Sequence, residues 1–177
     1  MSHFARISAI LLSVAGTSAW AAGEIQGQMS VQITVGTGCT VTNGSETGGV
    51  NNFGSLTFGD YTNLDNTIDG RSVGNAGGAS FGLECSVGTN YSIAISGGAN
   101  PNGSQRRMQN GGQFVSYNLY QDSARSVPWG DGGATGTVLT GSGTGADEEV
   151  IVYGRVPAQA TPAPGTYNDT VQVTVTW

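Results

Sequence analysis

Ile25-Gln26-Gly27-Gln28-Met29-Ser30-Val31-Gln32-Ile33-Thr34-Val35 is the stretch on which the fold turns. Its apolar residues are Ile25, Met29, Val31, Ile33 and Val35, with Gly27 in phase, while Gln26, Gln28, Ser30, Gln32 and Thr34 take the alternate places. Successive side chains of a strand point to opposite faces, so this period of two predicts one long amphipathic β-strand. No charge interrupts the chain between Ile25 and Thr40. A flat, uncharged strand is what proteins avoid leaving at an open sheet edge, so the segment must pair with something. It is either the first strand of its own sheet or a strand added to the sheet of another molecule. The alternation alone does not decide between the two.

The far end repeats the pattern. Val171, Val173, Val175 and Trp177 alternate with Thr170, Gln172, Thr174 and Thr176, which predicts a second amphipathic strand there. Shorter strand candidates lie between the two ends, at Phe53 to Phe58, Ala79 to Cys85, Tyr91 to Ser96, Phe114 to Tyr120, Thr135 to Thr140 and Glu149 to Val156. Turn-forming clusters separate them, among them Asn43-Gly44, Asn102-Gly103, Asn110-Gly111 and Asp131-Gly132-Gly133. About seven or eight strands without a helical pattern predict an all-β chain, a β-sandwich of immunoglobulin-like type.

Composition agrees. Charged residues are only 10% of the 177, yet Val, Thr, Ile, Tyr and Phe are abundant, so a packed core is expected in place of disorder. The 30 glycines show no collagen period and cluster between the strand-like runs. All six basic residues are arginines, and the net charge is -6, which argues against nucleic acid or an anionic membrane surface as partner.

The first 21 residues read as a secretory leader. Arg6 precedes the apolar run Ile7 to Ala15, and Ala19-Trp20-Ala21 supplies a small-residue cleavage site, with cleavage expected before Ala22. That run is about half the length of a membrane span, and no later segment approaches about 20 apolar residues, so no direct membrane insertion is expected. The remainder has the size of one domain. In an exported chain its two cysteines, Cys39 and Cys85, are expected to form one disulfide.

Several segments together carry a family resemblance. They are Thr37-Gly38-Cys39-Thr40-Val41 after the alternating strand, Phe53-Gly54-Ser55-Leu56-Thr57-Phe58-Gly59, and Tyr117-Asn118-Leu119-Tyr120-Gln121-Asp122 with Ala124-Arg125 and Trp129-Gly130-Asp131. Val152-Tyr153-Gly154-Arg155-Val156-Pro157 and Gly165-Thr166-Tyr167-Asn168-Asp169 complete the set. In order and spacing they resemble the spore coat protein U domain family, which includes major subunits of archaic chaperone/usher pili. The resemblance implies a sandwich lacking its final strand, whose last strand, Tyr167 to Trp177, borders an open groove. A periplasmic chaperone would fill the groove first, and an outer-membrane usher would exchange it for the N-terminal strand of an identical or related subunit. On that reading residues 22–36 are the donor segment, with Ile25, Met29, Val31, Ile33 and Val35 as donor residues. Residues 37–177 are the domain, with Val171, Val173 and Val175 in the acceptor wall. A cell-surface pilus, adhesion and biofilm formation are the implied role; a spore-coat or matrix protein assembled the same way, and a carbohydrate-binding adhesin suggested by Trp129 and the Tyr-rich centre, are the alternatives.

Enzymatic chemistry finds little to work with. The single histidine, His3, lies in the leader, so no Ser-His-Asp arrangement and no histidine zinc site is expected. The absence of lysine removes Schiff-base chemistry. Asp60, Asp65, Asp69, Asp122 and Asp147-Glu148-Glu149 read as solvated loop carboxylates, and Asp65 to Gly70 lacks the rest of a calcium-loop spacing. Gly141-Ser142-Gly143-Thr144-Gly145 lacks the lysine and helix of a phosphate loop. Arg106-Arg107 reads as a solvated hairpin, with pairing to acidic groups of a neighbour as the alternative. No cofactor and no metal is expected.

Overall fold

Thirteen β-strands, and no helix, make up the described part of the chain. The structure is a computed structural model and describes residues 28–42, 45–47, 50–73 and 81–177. The expected leader and the donor position Ile25 lie outside the described residues. The strands are β1 (Cys39–Thr42), β2 (Ser45–Thr47), β3 (Val50–Asn52), β4 (Ser55–Leu56), β5 (Ile68–Val73), β6 (Phe81–Cys85) and β7 (Asn90–Ile95). Then follow β8 (Arg106–Asn110), β9 (Gln113–Tyr120), β10 (Leu139–Ser142), β11 (Asp147–Val150), β12 (Tyr153–Val156) and β13 (Val173–Thr176).

They build a two-layer sandwich. One layer is a five-stranded antiparallel sheet in the order β4-β5-β12-β9-β8. The other consists of two three-stranded sheets, β1-β6-β11 and β10-β7-β13. Backbone bonds join these at the shared turns: Gly88 N–H donates to Gly143 O at 2.9 Å, Gly143 N–H to Thr89 O at 2.8 Å, and Gly145 N–H to Cys85 O at 3.0 Å. β2 and β3 form a separate small hairpin. Alternation decides which side chains meet between the layers. Phe81, Leu83, Ile93, Ile95 and Val150 from one layer pack with Ile68, Val115, Tyr117, Leu119 and Val156 from the other, and Trp129 is wholly buried with them. Among the described residues no helix is long and apolar enough to cross a membrane.

Most of the expected strands are present, and the differences have physical causes. Glu149 to Val156 is not one strand. The chain pairs with β6 up to Val150 and then crosses to the other layer, where Tyr153 starts pairing with β5 and β9. Thr135 to Thr140 forms a strand only from Leu139, because the preceding residues fold back on Pro128-Trp129-Gly130, with Gly130 N–H donating to Thr137 O and Thr137 N–H to Pro128 O. β5, Ile-Asp-Gly-Arg-Ser-Val, and β8, Arg-Arg-Met-Gln-Asn, carry too few apolar residues to announce themselves by pattern. Their places are set by the register of their neighbours.

Candidate functional site

β13 is the strand that the pattern at the far end predicts, and among the described residues it pairs on one side only. Val173 stands opposite Ile95, and Val175 opposite Ile93, on β7. Just before the strand, Ser96 N–H donates to Gln172 O at 2.9 Å, and Gln172 N–H donates to Ser96 Oγ at 2.9 Å. Antiparallel ladders bond every second residue, so Gln172, Thr174 and Thr176 turn their backbone groups toward β7. The backbone groups of Val171, Val173 and Val175 point toward the free edge. Their side chains point inward and stay half-buried against the core.

Along this edge a cleft of about 1720 Å³ opens between the layers. Val171, Val173, Val175 and β1 wall it on one side, Phe53–Phe58 on the other, and Phe81, Leu83, Ile95 and Leu119 lie at its floor. Small-molecule pockets are on the order of 300–1,000 Å³ and enclosed. A larger, mainly apolar cleft beside backbone groups that no described residue pairs suits an extended polypeptide.

The disulfide closes one corner of this wall. Cys39 and Cys85 are bonded and stand directly opposite each other on β1 and β6. Ahead of Cys39, the carbonyls of Gly36 and Gly38 accept from the Ser86 hydroxyl at 3.1 and 3.4 Å. Bonds from the turn after β6 thus reach back along the chain to Gly36.

The alternating segment upstream is described from residue 28. It forms no strand between residues 28 and 38, although its pattern predicts one. Met29, Val31, Ile33 and Val35 are 87%, 87%, 85% and 80% exposed. A strand exists only through its partner's hydrogen bonds, so an unpaired segment shows the pattern without the element.

The polar end of the cleft was not anticipated. Tyr117 and Asp169 both line it, and the Tyr117 hydroxyl donates to Asp169 Oδ2 at 2.6 Å. Asp169 Oδ1 also accepts from Ala99 N–H at 2.8 Å. Gly98 makes room for this contact: it has φ +85°, and a Cβ there would collide with the Asp169 carboxylate. Burial, with help from the bond to Asp169, pushes the Tyr117 phenol far above its ordinary range. Behind it Arg106, only 1% exposed, donates to Ser96 O at 2.8 Å and to Ile95 O and Trp129 O at 2.9 Å each. Burial lowers the pKa of this guanidinium, while Tyr117, Asp131 and Asp169 oppose the shift.

Three expectations are corrected here. Arg106 is not part of a solvated hairpin, because it bonds carbonyls of two other segments inside the core. Trp129 is 0% exposed and its indole N–H donates to Ile93 O at 2.8 Å, so it offers no face for sugar stacking. Of the carboxylates read as loop residues, Asp69 lies on β5, where it pairs with Arg155 and Arg125, and Asp147, Glu148 and Glu149 lie on β11, where Glu148 accepts from Tyr91 and Thr144; Asp122 stays in a loop and accepts from the Ser126 and Val127 amides.

Comparison with known proteins follows the same outline. The sequence model of the Spore Coat Protein U domain matches residues 25–174. Protein U of Myxococcus xanthus is 34% identical over an alignment covering 81% of this chain and 79% of that protein. Among solved structures, the chain is similar to one in the chaperone-tip adhesion subunit pre-assembly complex from archaic chaperone-usher Csu pili of Acinetobacter baumannii. The TM-score is 0.49 at 20% identity, over 81% of this chain and 41% of that one, so the chain spans less than half of the matched length.

Proposed function

From its place in the spore coat protein U domain family, to which this chain belongs, we propose that it is a non-enzymatic structural subunit, polymerised by strand donation into a cell-surface pilus. The observation that carries the reading is the apolar cleft beside the free edge of β13, in a chain that also holds an alternating segment with its apolar side chains exposed. The leader takes the chain to the periplasm, where a chaperone covers the cleft of Val171, Val173 and Val175. At an outer-membrane usher, Ile25, Met29, Val31, Ile33 and Val35 of an identical or related subunit replace it.

The magnitudes favour a durable joint. Burying five apolar side chains at roughly 1.5–3 kcal/mol each gives on the order of 10 kcal/mol before ordering costs. The backbone groups freed on Val171, Val173 and Val175 add a ladder of hydrogen bonds. Gln26, Gln28, Ser30, Gln32 and Thr34 stay on the solvent side. Replacing Val31 or Ile33 by Asp is expected to leave export intact and abolish high-mass polymer on unheated gels; unchanged polymer ladders reject the donor assignment.

The family's description as a spore coat domain favours a second reading, a coat or matrix layer assembled by the same exchange. Electron microscopy of cells separates the two, thin fibres supporting the pilus and an amorphous layer the coat. Surface adhesion and biofilm formation belong to the first reading, and are tested by comparing attachment of wild-type and Val31→Asp cells.

A further inference from the structure

The solvent-facing charges carried by the strands are sorted by layer, while the loops between them carry Asp60, Asp65, Asp122 and Asp131. On β5 and β12 the burial pattern turns Ile68, Ser72, Gly154 and Val156 inward, so Asp69, Arg71, Tyr153 and Arg155 face outward. Register sets Arg71 beside Tyr153 and Tyr153 beside Tyr120. Arg155 grips Asp69 through two bonds of 2.7 and 2.9 Å. Arg125 lies 3.2 Å from Asp69, with its guanidinium 5.7 Å from the centre of the Tyr153 ring. On β8, Arg107 faces outward over Phe114 at 4.1 Å. Asp69 is the only carboxylate carried by the five strands of this sheet.

The opposite layer carries no arginine on any of its strands. Its outward residues on β6 and β11 include Glu84, Asp147 and Glu149, all exposed. Glu84 stands directly opposite Asp147, and Glu149 is opposite Gly82. Like charges so placed destabilise a sheet, and the flanking Thr40 and Thr42 bring no counter-charge.

We propose that the arginine and tyrosine face of the five-stranded sheet docks a second copy of this chain, which presents its Glu84-Asp147-Glu149 face. Arginine with tyrosine and phenylalanine is the composition enriched at protein interfaces, and guanidinium groups pair carboxylates with defined geometry. The two faces lie on opposite sides of one sandwich, so the contact is heterologous and propagates as a stack, not closing as a dimer. In a fibre it would tie neighbouring strands of polymer side by side. The contact needs no strand donation, since both faces lie on the folded body.

The test uses the full chain carrying Val31→Asp, sedimented at about 20 mM and about 500 mM NaCl, between which the range of charge interactions falls severalfold. Association at low salt, weakened about tenfold or more at high salt, is expected. Arg71→Glu with Arg107→Glu should abolish it, and so should Glu84→Arg with Glu149→Arg, each with an unchanged circular dichroism spectrum. The two variants mixed should associate again, because each then presents the face that the other lacks. The neutral variants Arg71→Gln and Glu84→Gln, which perturb the sheet less, should weaken association in part. A monodisperse wild-type face pair at both salts, single-face variants that associate as before, or a mixture that stays apart overturns the proposal. So does binding of dextran sulfate to the arginine face with self-association indifferent to Glu84, which would assign the face to an external polyanion. Failure of polymer formation on gels bears on strand donation alone and leaves this measurement intact.

Discussion

Arg106 shows how much a single residue can hold. Its guanidinium satisfies the carbonyls of Ile95, Ser96 and Trp129, which belong to β7, its extension and the loop after β9. Arg106→Met keeps much of the volume but leaves these acceptors unpaired in the core, at roughly 1–3 kcal/mol each. A loss of about 3–5 kcal/mol in urea unfolding is expected, with Arg106→Lys between wild type and Met because one ammonium does not reproduce the planar fork. None of this was legible in Arg-Arg-Met-Gln-Asn, since sequence pattern reads exposure from polarity and a buried cation contradicts that premise. Acid stability is also set residue by residue. The bond from Arg155 holds Asp69 below its ordinary 3.8, and backbone amides do the same for Asp122 and Asp131. A lowered folded pKa contributes stability that is complete above the unfolded value and is lost as pH falls through the folded one. The melting temperature should therefore hold down to about pH 4 and fall below it. Asp69→Asn should start lower and fall less over that acid range, as read by calorimetry.

At the scale of elements, β13 and the upstream segment share one pattern and meet opposite fates. Both alternate strictly, yet β13 finds β7 while residues 28–38 form no strand. Periodicity states which side chains share a face; it does not state whether a partner is present. This is why β13 could be read from the pattern, though it is shorter than the alternation, whereas residues 28–38 read only as an amphipathic segment needing a partner. The break between β11 and β12 was hidden for a related reason, because a strand changing layers keeps its apolar residues throughout. Faces yield a further prediction. Val173→Asp places a charge in the cleft wall and should abolish polymer, whereas Thr174→Asp, one residue away on the solvent face, should leave the gel ladder unchanged.

For the whole molecule, a cleft between the layers leaves part of the core uncovered, and the disulfide stands in its wall. Cys39 and Cys85 are 46 residues apart and tie β1 to β6 beside the opening. In the chain-entropy picture a loop of that length is worth roughly 4 kcal/mol. Cys39→Ser with Cys85→Ser should lower unfolding stability by about that amount, measured on the purified chain. The all-β class, the pairing of the cysteines and the order of most strands could be read from sequence because each rests on local pattern or on an even cysteine count. The cleft itself could not, since it is the space left between β13, β1 and Phe53–Phe58, segments far apart along the chain. The most direct measurement is hydrogen exchange at the amides of Val173 and Val175, which face the open edge. They should exchange freely in the Val31→Asp chain and become strongly protected in assembled wild-type material, together with amides between Met29 and Val35. Polymer in which those amides exchange as fast as in the separate chain would contradict the account.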